Sequence, residues 1–212
     1  MAEFNQIREA IVNGKLEVAI DTIKIALEEG TDPQLIISDY LIKGMEEIGQ
    51  RFQEGKAFVP NLLMSARAMK GSLELLKPLL KDATGVTVGK IVIGTVKGDL
   101  HDIGKNLVAS MFEGCGFEVI NLGIDVSSDQ FLQAVKEHNA DIICLSALLT
   151  TTMNYMKDVI EALDASGLRE RVKVMVGGAP LSEQFALQIG ADAYTSNANA
   201  AVVKAKELLG VA

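Results

Sequence analysis

Apolar positions in the first third of the chain recur at steps of three and four: Phe4, Ile7 and Ile11; Leu16, Ile20, Ile23 and Leu27; Ile37, Leu41, Met45, Ile48 and Phe52; Leu62, Ala66, Met69, Leu73 and Leu76. Each set falls on one face of an α-helix, so the segment up to about Pro78 predicts four amphipathic helices packed as a small bundle. Punctuation supports the third helix. Gly30 is placed to end its predecessor, Asp32 to cap its N-terminus, and Pro33 sits where a missing N–H costs nothing. Most of this Leu, Met and Phe stripe needs no role beyond a core.

After the stretch KDATGVTVG at 81–89 the rhythm changes to short β-branched runs separated by longer helical segments. Strands are expected at Lys90–Val96, Phe117–Leu122, Asp141–Ser146, Val172–Gly177 and Asp192–Thr195, with helices near 103–114, 128–138, 152–165, 182–189 and 197–209. Largely apolar strands alternating with helices argue for a parallel sheet covered on both faces. Right-handed crossovers then give a doubly wound, Rossmann-like (flavodoxin-like) α/β domain with strand order 2-1-3-4-5. The expected organisation is a helical bundle at 1–82, a linker at 83–89 and the sheet domain at 90–212. Gly85 and Gly89 would let the linker act as a hinge.

Composition narrows the chemistry. With 49% hydrophobic residues among 212 the chain can bury a core, and disorder is excluded. A net charge of −8 disfavours a polyphosphate partner, so no nucleic acid is expected. MAEFNQIREA lacks the basic and apolar regions of a signal peptide, and no apolar run approaches the roughly 18 residues of a membrane span, so the expectation is a soluble, cytoplasmic protein. Cys115 and Cys144 are too far apart for a thiolate zinc motif and are expected to be small core residues. The only histidines are His101 and His138, so any metal site must use few imidazoles.

Ligands of open α/β sheets bind at the carboxyl ends of the strands. There, strand 1 runs into Lys97-Gly98-Asp99-Leu100-His101-Asp102-Ile103-Gly104-Lys105-Asn106, a histidine flanked by acids and bracketed by glycines. A neutral imidazole can ligate a metal through one nitrogen while the other donates to a carboxylate, and either Asp99 or Asp102 is near enough to accept. Gly98 and Gly104 would let a bulky ligand approach the backbone. Strand 3 ends in Ser146-Ala147-Leu148-Leu149-Thr150-Thr151-Thr152, which by itself reads as a helix start capped by Thr150 or Thr151. Strand 4 ends in Gly177-Gly178-Ala179-Pro180, by itself a common turn.

Together these pieces resemble the cobalamin-binding family whose signature is Asp-x-His-x-x-Gly, then Ser-x-Leu, then Gly-Gly: here Asp99, His101 and Gly104; Ser146 and Leu148; Gly177 and Gly178. The helical half, with RFQEGKAFVP at 51–60, is similar to the cap domain over the corrin in methionine synthase and small corrinoid proteins. The chain is identified as a methyltransferase cognate corrinoid protein, which shuttles methyl groups between partner enzymes on cobalamin or a related corrinoid cycling through Co(I), Co(II) and methyl-Co(III). The resemblance implies His101 as lower axial ligand of cobalt, Asp99 as acceptor of its other N–H, and Thr152, a serine in methionine synthase, as hydroxyl partner of that carboxylate. These are the expected catalytic residues. Leu100, Asp102 and Ile103 lie in the same loop and are assigned to the cofactor with Gly98 and Gly104. Ser146 and Thr150 would lie near the base of the displaced nucleotide tail, with Gly177 and Gly178 as its wall and Asn197 and Ala198 at its far end; Leu148 and Ala179 are also assigned to the cofactor. Phe52 and Val59 would cover the methyl-bearing face.

The implied partners are a substrate-specific corrinoid methyltransferase, an acceptor methyltransferase using tetrahydrofolate or a thiol coenzyme, and a reductive activator. The methyl donor stays open among methylamines, methanol, betaines and methoxylated aromatics. Methionine synthase itself is not expected, for want of the remaining domains. Three other readings compete: the HDIGK string at 101–105 also occurs in HD-type phosphohydrolases, which need more histidines; a carbon-skeleton mutase subunit shares the histidine loop; a cobalamin-binding sensor would use both domains but usually adds a DNA-binding module.

Overall fold

The computed structural model describes residues 4–80 and 87–211. The chain divides into two compact units, Met1–Thr87 with Ser110–Gly116, and Val88–Ala109 with Phe117–Ala212. Gly85, one of the two expected hinge glycines, lies outside the described residues.

The first unit contains α1 (Asn5–Val12), α2 (Leu16–Glu28), α3 (Pro33–Ile36), a π-helical stretch (Ile37–Ile42), α4 (Lys43–Gln53) and α5 (Val59–Leu76). Its core is the stripe expected from the spacing: Ile7, Ile11, Ile23, Ile37, Leu41, Leu62, Met69 and Leu76 are all buried, and Ile36, outside that stripe, joins them. Asp32 caps α3, its Oδ1 accepting from Gln34 N–H at 2.8 Å, and Pro33 follows in the first turn. The expected third helix thus runs from Pro33 to Gln53 but is not regular. Successive apolar steps of four from Ile37 to Leu41 to Met45 would drift by roughly 80° around an α-helix of 3.6 residues per turn. The wide π turn absorbs that drift and keeps the stripe facing inward. Buried hydroxyls are satisfied by backbone carbonyls, Ser65 donating to Val12 at 3.2 Å and Ser72 to Ala68 at 2.8 Å.

The second unit holds β1 (Lys90–Thr95), α6 (Ile103–Gly114) as far as Ala109, β2 (Glu118–Asn121), α7 (Ser128–His138), β3 (Ile142–Ser146), α8 (Tyr155–Ala165), β4 (Lys173–Gly177), α9 (Glu183–Ile189), β5 (Ala193–Tyr194) and α10 (Ala198–Leu209); the rest of α6, from Ser110, groups with the first unit. The five strands are parallel in the order β2-β1-β3-β4-β5. This is the expected Rossmann-like arrangement, made from strands whose inner positions Val92, Ile143 and Val174 are fully buried. Register matters most here. Thr95 pairs with Ser146 and Ser146 with Gly177, so β1, β3 and β4 end level and deliver their loops side by side at one edge.

One helix start needs correction. Neither Thr150 nor Thr151 caps α8; the helix begins at Tyr155, its N-cap is Asn154, and no side chain bonds the cap. Cys115 and Cys144 are buried and outside any disulfide, and burial pushes the Cys144 thiol well above its ordinary range. No helix among the described residues is long and apolar enough to cross a membrane.

Candidate functional site

Just beyond β1 the chain turns sharply: Asp99 N–H donates to the Val96 carbonyl at 3.1 Å, and Gly98 adopts φ +80°, a conformation that suits a residue without Cβ. The turn drives the Asp99 side chain inward, where it is 0% exposed. Its Oδ1 accepts from His101 N–H at 3.0 Å and faces His101 Nδ1 at 2.7 Å. Its Oδ2 accepts from Leu148 N–H at 2.8 Å, Leu149 N–H at 3.3 Å and the Thr152 hydroxyl at 2.7 Å. Burial by itself raises the carboxyl; the N–H groups of Leu148 and His101, the Thr152 hydroxyl and the His101 ring oppose it and hold Asp99 well below the usual carboxylate range.

An ionised Asp99 has only acceptors to offer, so the proton on the facing imidazole nitrogen belongs to Nδ1 and Nε2 keeps its lone pair. The ring is half exposed. The His101 carbonyl is also held, accepting from the Thr95 hydroxyl at 2.9 Å. A neutral imidazole whose tautomer is fixed by a carboxylate and which keeps one accessible nitrogen can serve as a monodentate metal ligand. The surroundings suit a broad, largely apolar metal complex. Leu100 is 67% exposed, Ile103 87% and Leu148 43%, and nothing lies within 4 Å of where a Gly104 Cβ would stand. These residues fit a corrinoid.

Thr152 answers a steric question raised by its extra methyl. A Cβ built on Gly98 would lie 3.6 Å from Thr152 Cγ2, an ordinary contact distance, so the methyl stands beside Gly98 without crowding it. The remaining expected residues have mixed duties. Ser146 is half-buried at the end of β3, and Thr150 and Ala179 are exposed. Gly177 has room, a Cβ there meeting only the Thr195 carbonyl at 3.6 Å, whereas a Cβ on Gly178 would collide with the Ala147 carbonyl. Gly178 is therefore required by close packing of the β3 and β4 loops. Asn197 caps α10, its Oδ1 accepting from Ala200 N–H at 2.8 Å, and Ala198 is buried beside it. Asp102 is exposed and accepts from Asn106 Nδ2 at 2.9 Å.

Within the first unit, Phe52 is half-buried on α4 and Val59 is 37% exposed at the start of α5. Phe58, not singled out from the sequence, is the more exposed neighbour at 69%. Sequence reasoning also missed Thr95 and Lys105. The Lys105 side chain is buried, its Nζ donating to Asn106 Oδ1 at 2.5 Å and Asn121 Oδ1 at 2.7 Å, which ties the first turn of α6 to the end of β2. Burial lowers its pKa, opposed by the nearby charge of Asp102. Among the described residues no group of three or more His, Cys, Asp and Glu side chains could hold a metal ion, and His138 closes α7, so the multi-histidine centre of a phosphohydrolase is not assembled there.

Comparison with known proteins agrees with this geometry. Two models described as B12 binding domain match, one over residues 89–203 and one over residues 3–77. The dimethylamine corrinoid protein of Methanosarcina barkeri is 47% identical over 205 residues, covering 96% of each chain. Among solved structures, a cobalamin-binding protein from Desulfitobacterium hafniense superposes with a TM-score of 0.82 at 33% identity, covering 98% of this chain and 99% of that one. A chain of the methanol:cobalamin methyltransferase complex of Methanosarcina barkeri gives 0.86 at 32% identity, covering 100% of this chain and 81% of that one. With its histidine loop, its level strand ends and its two matched segments, the chain belongs to the B12-binding family of corrinoid proteins.

Proposed function

We propose that His101 is the lower axial ligand of the corrinoid cobalt, with Asp99 and Thr152 as its hydrogen-bonded support. In this reading the chain is the methyl carrier of a multi-component methyltransferase system. When bound, the corrinoid supplies a cobalt centre that accepts a methyl group in its reduced state and releases it to a second acceptor. The chain's own residues do the rest. Asp99 Oδ1 holds the Nδ1 proton and keeps Nε2 available, while Thr152 and two backbone N–H groups stop the carboxylate from rotating away. Leu100, Ile103 and Leu148 offer the apolar bed, with Asp102 and Gly104 at its edge. Ser146, Thr150, Gly177, Gly178, Ala179, Asn197 and Ala198 border the slot for the nucleotide tail. Phe52 and Val59 of the bundle, joined by Phe58, cover the methyl-bearing face and exclude water from it. The bundle is taken as residues 1–82 and the sheet domain as residues 90–212, with 83–89 as the linker.

The observation that carries this reading is the Asp99–His101 pair at 2.7 Å, with the ring half exposed and its second nitrogen unengaged among the described residues. Relatives named for dimethylamine, at 47% identity, favour a methylamine methyltransferase as the loading partner over a methanol-specific one. An acceptor methyltransferase and a reductive activator complete the system, working in the cytoplasm.

The test is an ultraviolet-visible spectrum after incubation with hydroxocobalamin and desalting, beside His101→Ala. Stoichiometric retention, a ligand-dependent spectral difference lost in the variant, and a methyl-cobalt band after reduction and addition of dimethylamine with its methyltransferase are the expected results. Correctly folded protein that retains no corrin overturns the reading.

A further inference from the structure

Among the described residues, two that are not glycine have positive φ: Asn139 at 50° and Asp125 at 52°. Asn139 is the left-handed cap that ends α7, an ordinary place for asparagine. Asp125 ends no helix. It stands in the loop between β2 and α7, one residue before Val126, which bridges Val96 in parallel. A left-handed backbone is unfavourable for a residue with a Cβ and persists where the surroundings determine it, so it points to a task.

The task is visible in its bonds. Asp125 N–H donates to the Asp99 carbonyl at 3.1 Å, and Asp125 Oδ1 accepts from Gly98 N–H at 2.7 Å. One residue of a different loop thus grips the chain on both sides of the Gly98–Asp99 pair. The carboxylate of Asp99 is fixed from the β3 loop by Leu148, Leu149 and Thr152, while its backbone is fixed from the β2 loop by Asp125. Neither clamp alone defines where Oδ1 sits, because a carboxylate moves with its Cα. Asp125 lies outside all three motif segments, and it touches neither His101 nor the apolar bed in any bond described.

We propose that Asp125 is a positioning residue for the His101 ligand, holding the Gly98–Asp99 turn so that Asp99 Oδ1 stays against Nδ1 and Nε2 is presented in a fixed direction. The proposal rests on His101 being the axial ligand and places part of the control of ligation in the β2–α7 loop.

The variants Asp125→Gly and Asp125→Asn separate positioning from stability. Glycine accepts φ 52° without penalty and keeps the backbone N–H, but removes the acceptor for Gly98. Asparagine keeps an acceptor oxygen and tolerates the left-handed region. The measurement is the ratio of nitrogen-ligated to unligated cobalt(II) in corrin-loaded protein, from nitrogen superhyperfine splitting by electron paramagnetic resonance, at a pH where the parent protein shows both forms. Thermal midpoints of the corrin-free proteins are taken alongside, with His101→Ala as control. In Asp125→Gly the ratio is expected to fall about three- to tenfold, the net scale of an ordinary hydrogen bond, while the midpoint holds or rises. Asp125→Asn should stay within about twofold of the parent. An unchanged ratio in Asp125→Gly overturns the proposal, as does a ratio that falls only in step with the midpoint and is not restored by asparagine. With a corrin that lacks the nucleotide base, nitrogen splitting that survives in His101→Ala removes the axial assignment itself, a distinct result from failure at Asp125.

Discussion

The loop after β1 and the turn between α4 and α5 both leave large apolar side chains in solvent, Leu100 and Ile103 in one and Phe58 in the other, but they are built differently. Beneath the first lies a buried carboxylate with hydrogen bonds from three loop positions besides its own histidine. Beneath the second lies a turn made with Gly55 at φ +71° whose side-chain bonds are all exposed: Asn61 Oδ1 accepts from Phe58 N–H at 2.9 Å, and Glu54 accepts from Lys56 Nζ at 2.6 Å and Gln50 Nε2 at 2.9 Å. A group that must bind a metal in one direction is held by polar contacts at fixed angles. A surface that needs only to be apolar is held by shape, and shape tolerates exchange. Substitutions in the two places should therefore differ in size and in kind.

The largest effect is expected at Asp99. Asp99→Asn leaves one oxygen to serve donors that two now share and brings an amide against the Leu148 and Thr152 donors; corrin-free stability by chemical denaturation should fall by about 2–4 kcal/mol, and nitrogen ligation of cobalt should be lost. Acid sharpens the point. Because the folded carboxyl is depressed, its stabilisation is complete above the unfolded value of about 4 and is lost as pH falls toward the folded value. The gap between parent and Asp99→Asn should therefore be constant near neutrality and narrow below about pH 4. A gap that is flat into acid would mean Asp99 is not the ionised hub.

Next comes Thr152→Val, nearly the same shape without the hydroxyl. It should cost about 1–2 kcal/mol and weaken ligation, whereas Thr152→Ser should be close to silent in ligation. A silent Thr152→Val would leave the backbone N–H groups as sufficient support. Smallest is Phe58→Ser, at a side chain 69% exposed, where stability should change by less than about 0.5 kcal/mol. Its expected effect is instead a shorter lifetime of the methyl-cobalt band in water, read by absorbance. A stability loss comparable to that of Asp99→Asn would erase the contrast between the two regions.

Much of this was readable from the residues. Helical faces and strand order follow from period and burial, because Ile7, Leu41 and Val92 have one environment in which they are comfortable. Asp99 and His101 were readable because a strand end and an acid–x–histidine spacing already fix a short loop. Thr152 was assigned to Asp99 by family resemblance, but from local pattern Thr150 and Thr151 looked like caps: hydroxyls have two good uses at a helix start, and which is taken depends on a carboxylate 53 positions away in sequence. Lys105 carries no sign of burial in the sequence, since only the arrival of Asn121 from β2 makes that burial tolerable. Asp125 gave no signal, because a left-handed φ is a property of the folded loop.

The π turn at Ile37–Ile42 sets a rule for how this chain can change over evolutionary time. A π turn is in effect one extra residue in an α-helix. Removing one residue there would restore a regular helix: the steps from Ile37 to Met45 would become four and three, a drift of only about 20°, so Met45 and Ile48 would stay on the core face. Deleting a second residue would leave no wide turn to absorb the change and would rotate the rest of α4 by about 100°. Homologous lineages should therefore tolerate a single deletion across 37–42, and a longer one should appear only together with a compensating insertion before Phe52.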